Sequence, residues 1–278
     1  MKLSVLSDNR QLEKALEFEH GLCIYLETEK YKCLLDTGAS DIFIHNAEKM
    51  VIDLVDVDYV FISHGHSDHT GGLKSFLKIN TKAKIILSEY SLSQHFVSIR
   101  DKQKDISCTI DINDYPNRFQ FINAETIIEN VIHVFPCQKG QFPLPRANNS
   151  LMTEDVHGLK PDDFKHELII CFGNENIITY TGCAHNGILN ILNTVENRIG
   201  KNTSILIGGF HLTDGYPGQY ETESEITEIA ESLVTNYPET IFYTGHCTGK
   251  NVFSLLKKKL GNKLKLFHTG YTLFIHNP

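Results

Sequence analysis

The sequence predicts an α/β fold, and three observations carry that prediction. Short β-rich runs alternate with amphipathic stretches, and many of the runs end in polar or glycine residues. The last third repeats one unit three times: a strand, a histidine-bearing turn, then a helix. With 278 residues and no linker-like stretch, the chain reads as one domain over 1–278.

Taken in order, LSVL, GLCIYLET, YKCLLDTG and DYVFISH read as strands. SDIFIHNAEKM opens with Ser and Asp and has helical spacing, and so does TGGLKSFLKIN. KAKIILSEY reads as a strand and YSLSQHFVSIR as a helix. From 101 to 166 the pattern is weak: ISCTI and NVIHVFP suit strands, and QFPLPRANNSLMTEDVHGLKPDDF reads as a long loop. ELIICFGNENIITYTG then predicts a hairpin around Gly173 and Asn174. The three repeated units are IITYTGCAHNGILNILNTVENR, SILIGGFHL with ESEITEIAESLVTNY, and TIFYTGHCTG with NVFSLLKKKLG. KLFHTGYTLFI closes the chain, and LKKKL is the solvated face of a helix.

Composition narrows the function classes. Hydrophobic residues at 41% and charged residues at 22% are ordinary for a globular protein, so disorder is not indicated. The formal charge of −8 repels a phosphate backbone, which disfavours nucleic acid as a partner while leaving room for a local basic groove. MKLSVLSDNRQLEKALEF lacks a basic head, an apolar run and a cleavage site, so a cytoplasmic protein is expected. Seven cysteines without a CxxC pair fit reduced thiols, and no apolar run approaches the ~20 residues that span a bilayer.

The chemistry concentrates in Phe61–Gly72, FISHGHSDHTGG, where an apolar strand runs into three histidines and an aspartate within six positions. In extended backbone His64 and His66 point to one side, so both imidazoles can meet one metal at ~2.0–2.1 Å. As the chain turns into a helix near Thr70, Asp68 and His69 can face a second metal. Gly65, Gly71 and Gly72 permit the tight turn.

SHGHSDHTGGL resembles the HxHxDH signature of the metallo-β-lactamase superfamily, and the other motifs fall in that family's order over most of the chain. LLDTG, the FPLPR loop, TGCAHNGI, GGFHL and GHCTG are similar to a dihydropterin-related subgroup, also described as beta-lactamase superfamily II metal-dependent hydrolases. The resemblance implies a four-layer αββα sandwich of two mixed sheets, with metals in the cleft at the sheet edges. It implies that His185 completes the His64/His66 metal and that His246 joins Asp68 and His69 at the second. His211, at an equivalent strand end, could ligate metal, contact substrate or pack at the core edge; substrate contact is favoured. Many members carry a bridging aspartate where this chain has Gly182-Cys183. Cys183 is therefore open as a thiolate ligand, a residue supporting a ligand, or a packed thiol. Two divalent ions are expected; fewer carboxylates favour zinc and leave iron and manganese open.

DTGAS around Asp36 also resembles an aspartic-protease loop, but such enzymes need two aspartates and the chain has no second DTG. Asp36 is instead expected to steady a metal-bound imidazole or its loop. Arg146 could pair with an anionic group on substrate, or be a surface arginine beside two prolines. The remaining histidines, His20, His45, His95, His133, His157, His166, His268 and His276, lack comparable spacing and read as surface or core.

Two cations ~3.5–4 Å apart lower the pKa of a shared water and supply hydroxide near neutral pH. Asp68 is the residue placed to orient it. Hydrolysis of an ester, lactone, amide or phosphoester in a small, anionic metabolite is the expected reaction. A phosphodiesterase or nuclease of the same fold, and a metal-loaded module without turnover, are the alternatives. An oxidative role would need iron and an electron-transfer partner, and the chain carries no flavodoxin-like domain.

Overall fold

The computed structural model describes residues 1–278 apart from 101, 139, 216, 217, 219 and 276–278, so His276 lies outside the described residues. One mixed sheet runs, in spatial order, Thr272–Phe274, Lys2–Ser7, Cys23–Glu27, Lys32–Leu35, Tyr59–Phe61, Lys84–Ser88 and Phe119–Ile122. It is antiparallel up to Lys32–Leu35 and parallel beyond. A second runs Leu264–Leu266, Ile241–Thr244, Thr203–Ile207, Ile177–Tyr180, Leu168–Phe172, Ile132–Pro136 and Thr126–Ile128. Its first four strands are parallel, which fits the repeated strand-turn-helix units.

The side-chain alternation of the strands builds the layers. Leu3, Val5, Ile24, Leu26, Cys33 and Leu35 face Val134, Ile170, Phe172 and Tyr180 of the other sheet. Leu6, Cys23, Tyr25 and Leu34 point the opposite way, against Phe43 and Ala47 of helix Ile42–Lys49 and Leu73, Phe76 and Leu77 of helix Leu73–Ile79. The outer face of the second sheet is covered by helices Ile188–Ile199, Glu223–Asn236 and Lys250–Leu260. With each sheet buried on both faces, the arrangement is the four-layer αββα sandwich.

The middle of the chain departs from the expectation. His95–Ile99, expected as helix, is a strand of a third, antiparallel sheet in the order Gly158–Pro161, Leu151–Asp155, His95–Ile99, Gln103–Asp105. Within YSLSQHFVSIR, β-branched Val97 and Ile99 and the pairing with Leu151–Glu154 favour extended backbone. The expected loop from 141 to 164 contains a 3-10 turn, Arg146–Ser150, and the hairpin closed at Gly158. ISCTI is not a strand; only Ser107 bridges, to His66, and that bridge ties the third sheet to the histidine motif.

Candidate metal centre

Four strands, Tyr59–Phe61, Ile177–Tyr180, Thr203–Ile207 and Ile241–Thr244, run into turns that carry histidines. Strand Tyr59–Phe61 delivers His64 and His66, and the short helix Ser67–Thr70 carries Asp68 and His69. The turns after Ile177–Tyr180, Thr203–Ile207 and Ile241–Thr244 deliver Cys183 with His185, His211, and His246 with Cys247. Asp36, Ala184, His211 and His246 hold positive φ angles of 60°, 59°, 49° and 46°. Such backbone costs of order 1–3 kcal/mol per residue and persists only where surrounding structure enforces it.

His64, His66 and His185 form one set, their ring centroids 4.7–4.9 Å apart. Asp68, His69, Cys183 and His246 form the other, with ligand atoms within 4.8 Å of one another. His64, Cys183 and His185 meet the same criterion, so the Cys183 sulfur stands beside both sets.

The outer hydrogen bonds fix which nitrogen of each imidazole is bare. His69 Nδ1 faces Asp36 Oδ2 at 2.6 Å and His246 Nδ1 faces Asn9 Oδ1 at 2.9 Å. His185 Nδ1 faces Asn148 Oδ1 at 3.0 Å, and His64 Nδ1 faces Ser63 Oγ at 2.9 Å. The Ser63 hydroxyl proton is committed to Asp36, so Ser63 accepts from His64. In each ring Nδ1 therefore carries a proton and Nε2 points inward. The Nε2 atoms meet in twos, His64 with His185 at 3.3 Å and His69 with His246 at 3.1 Å. A cation holds such a pair together, either a proton, which the raised pKa of His246 supplies to its pair, or a metal ion. With Zn–N at ~2.0–2.1 Å a tetrahedral site has ligand–ligand edges of ~3.3 Å, which matches both pairs. His66 completes the picture from the side: its buried Nε2 stands 3.5 Å from Asp162 Oδ2, leaving Nδ1 for a metal.

The electrostatics agree. Burial, together with the neighbouring imidazoles, holds His64 and His185 well below the ordinary histidine range, and burial lowers His66 to about 4. Burial opposes a proton on His246 as well, yet Asp68 Oδ2 at 3.3 Å, with Cys247 and Asp8 nearby, pulls its pKa up to about 9. A bound cation would take that proton's place. Burial works against an ionised Asp68, but His69, His246 and His20 outweigh it and hold the carboxyl well below its usual range.

A further shell keeps these groups in place, and here the sequence pattern gave little signal. Asp162 Oδ2 accepts a hydrogen bond from His166 Nε2 at 3.0 Å, and His166 Nδ1 accepts from Gly65 N at 3.0 Å. Glu167, fully buried, accepts from His185 N at 2.7 Å and from Asn186 N at 2.8 Å. Asp8 Oδ1 accepts from His246 N at 2.6 Å, so the SDNR segment after the first strand clamps the His246 turn. His20, read from the sequence as surface or core, stands 3.4 Å from Asp68 Oδ2 and stacks on His246.

Above the two sets opens a cleft of ≈ 920 Å³. His211 lines it, its ring centroid 4.1 Å from that of His185. Arg10, Arg100, Lys102 and Lys104 line it too, and Asp68 is the only carboxylate among its described lining residues. Arg146 is not part of it; its guanidinium pairs with Glu225 beside a separate cavity of ≈ 290 Å³.

Residues 16–94 match the family model described as the metallo-beta-lactamase superfamily. A Methanocaldococcus jannaschii protein named 7,8-dihydropterin-6-methyl-4-(beta-D-ribofuranosyl)-aminobenzene-5'-phosphate synthase is 24% identical, the match covering 91% of this chain and 88% of that protein. The crystal structure of a metal-dependent hydrolase of the beta-lactamase superfamily superposes with a TM-score of 0.81 at 26% identity, covering 100% of both chains. A diphosphatase from the PhnP family, at 14% identity and a TM-score of 0.55 over 99% of this chain and 98% of its own, shares the fold.

Proposed function

The chain belongs to the metallo-β-lactamase superfamily, and on that premise we propose that it is a metal-dependent hydrolase of a small anionic metabolite. Two ions would be held by His64, His66 and His185, and by Asp68, His69 and His246, with zinc favoured by the all-nitrogen first set and the adjacent thiol. Such ions would supply Lewis acidity and lower the pKa of a water toward neutrality. Asp68, ionised and lining the cleft, would accept a hydrogen bond from an attacking water and orient it. His211 lines the same cleft beside His185, where it can reach a substrate oxygen.

The basic wall carries the choice of substrate. The chain is acidic overall, yet its cleft presents four cations, and the side chains of Arg100, Lys102 and Lys104 make no ion pair or hydrogen bond within the described protein. Unpaired cations around one carboxylate focus a positive potential that draws in a phosphorylated or carboxylated molecule. Ester, lactone, amide and phosphoester bonds all suit the metal arrangement, and the same basic wall favours phosphodiester hydrolysis as the second reading. Steady-state kinetics on matched esters with and without a remote phosphate test the proposal. A kcat/KM advantage for the phosphorylated member that fades with salt supports it, and equal rates contradict it.

A further inference from the structure

Cys183, His211 and Cys247 meet where three consecutive strand-end turns converge, and one ligand atom from each lies within 4.8 Å of the others. Both His211 ring nitrogens are buried with no well-aligned hydrogen bond, next to the Cys247 side chain, an unusual state for an imidazole that is 4% exposed. Space for the Cys247 sulfur exists because residue 209 is glycine: a Cβ there would stand 2.3 Å from Sγ. His211 N donates to that sulfur at 3.2 Å. All three residues line the cleft, so a bound ion would keep a position open toward it.

We propose that Cys183, His211 and Cys247 form a third metal position, distinct in chemistry from the two histidine sets and suited to a thiophilic cation such as Zn²⁺ or Cu⁺. Zn–S bonds of ~2.3 Å and Zn–N bonds of ~2.0–2.1 Å give tetrahedral edges of ~3.5–3.8 Å, so movements of about 1 Å close the group around an ion. Each thiol releases its proton to solvent as the ion binds. Cys183 is shared, so this position adjoins the histidine sets. The ion need not turn over substrate, and its detection does not pass through catalysis.

Cadmium NMR of the full chain, loaded with Cd²⁺ alone, reads each position separately because sulfur ligands shift the resonance far from the nitrogen and oxygen range. The expected spectrum contains one resonance at a dithiolate shift, lost in Cys247→Ser while the nitrogen-type resonances persist. A wild-type spectrum without a dithiolate resonance overturns the proposal without recourse to any variant. So does a dithiolate resonance retained in Cys247→Ser of native circular dichroism, or a Cys183–Cys247 disulfide found by mass spectrometry in the metal-loaded protein.

Discussion

Asp36 Oδ2 stands 2.6 Å from His69 Nδ1 and accepts two further bonds of 2.6 Å, from Ser63 Oγ and Tyr180 OH. One buried carboxylate thus orients His69 directly and His64 through Ser63, so both metal sets depend on it. In Asp36→Asn an amide cannot accept from all three donors, and the expected result is a metal affinity lower by roughly 10–100-fold. Competition with a chromophoric chelator measures it, with the secondary structure retained.

Asn148 and Asn9 each serve one set only, holding His185 and His246. Asn148→Ala is expected to weaken the ion beside His64 and His66, and Asn9→Ala the ion beside Asp68 and His69, each by about tenfold. Stepwise metal titration separates the two. Equal weakening of both steps by either variant would contradict the pairing.

Lys102, just before strand Gln103–Asp105, and Lys104 within it both line the cleft. Their replacement by Ala is expected to raise KM for an anionic substrate by a few-fold each while kcat holds, because they act on binding before the reaction. The difference from wild type should shrink as salt approaches 1 M, where the Debye length is ~3 Å.

His95 ties together the hairpin of His95–Ile99 and Gln103–Asp105, 3.2 Å from Asp105 and 2.8 Å from Glu154, and these two carboxylates, Asp105 foremost, raise its pKa. The folded state therefore holds the proton more tightly than the unfolded chain does. The stabilisation is complete below the ordinary histidine value of ~6.5 and is lost as pH rises through the raised one. The pair is exposed, so the effect is under ~1 kcal/mol and local. Amide hydrogen exchange in this hairpin, compared between wild type and His95→Gln, should show protection by His95 at about pH 6 that fades as pH rises through its raised pKa.

The outer two thirds of the fold were legible because their strands and helices carry clean periods: Ile24/Leu26 against Cys23/Tyr25 alternate by two, and each late helix follows a histidine turn. The third sheet was not, since exposed residues dominate Gln103–Asp105 and Gly158–Pro161 and leave no hydrophobic pattern to read. His64, His66, Asp68 and His69 announce themselves by spacing. Asp162, His166, Glu167 and Asn148 do not, because they reach the site from segments whose pairing is decided by tertiary contacts. Arg100, Lys102 and Lys104 look like ordinary surface charge until the hairpin turns them over the cleft.

The central claim is that the two histidine sets each hold a metal ion. Elemental analysis by mass spectrometry of protein purified without chelators, wild type beside His185→Ala and His246→Ala, tests it most directly. The account predicts bound metal in wild type and the loss of about one ion per chain in each variant, from a different set in each. Wild-type protein that stays free of metal after reconstitution, or variants that bind as much as wild type, would contradict it.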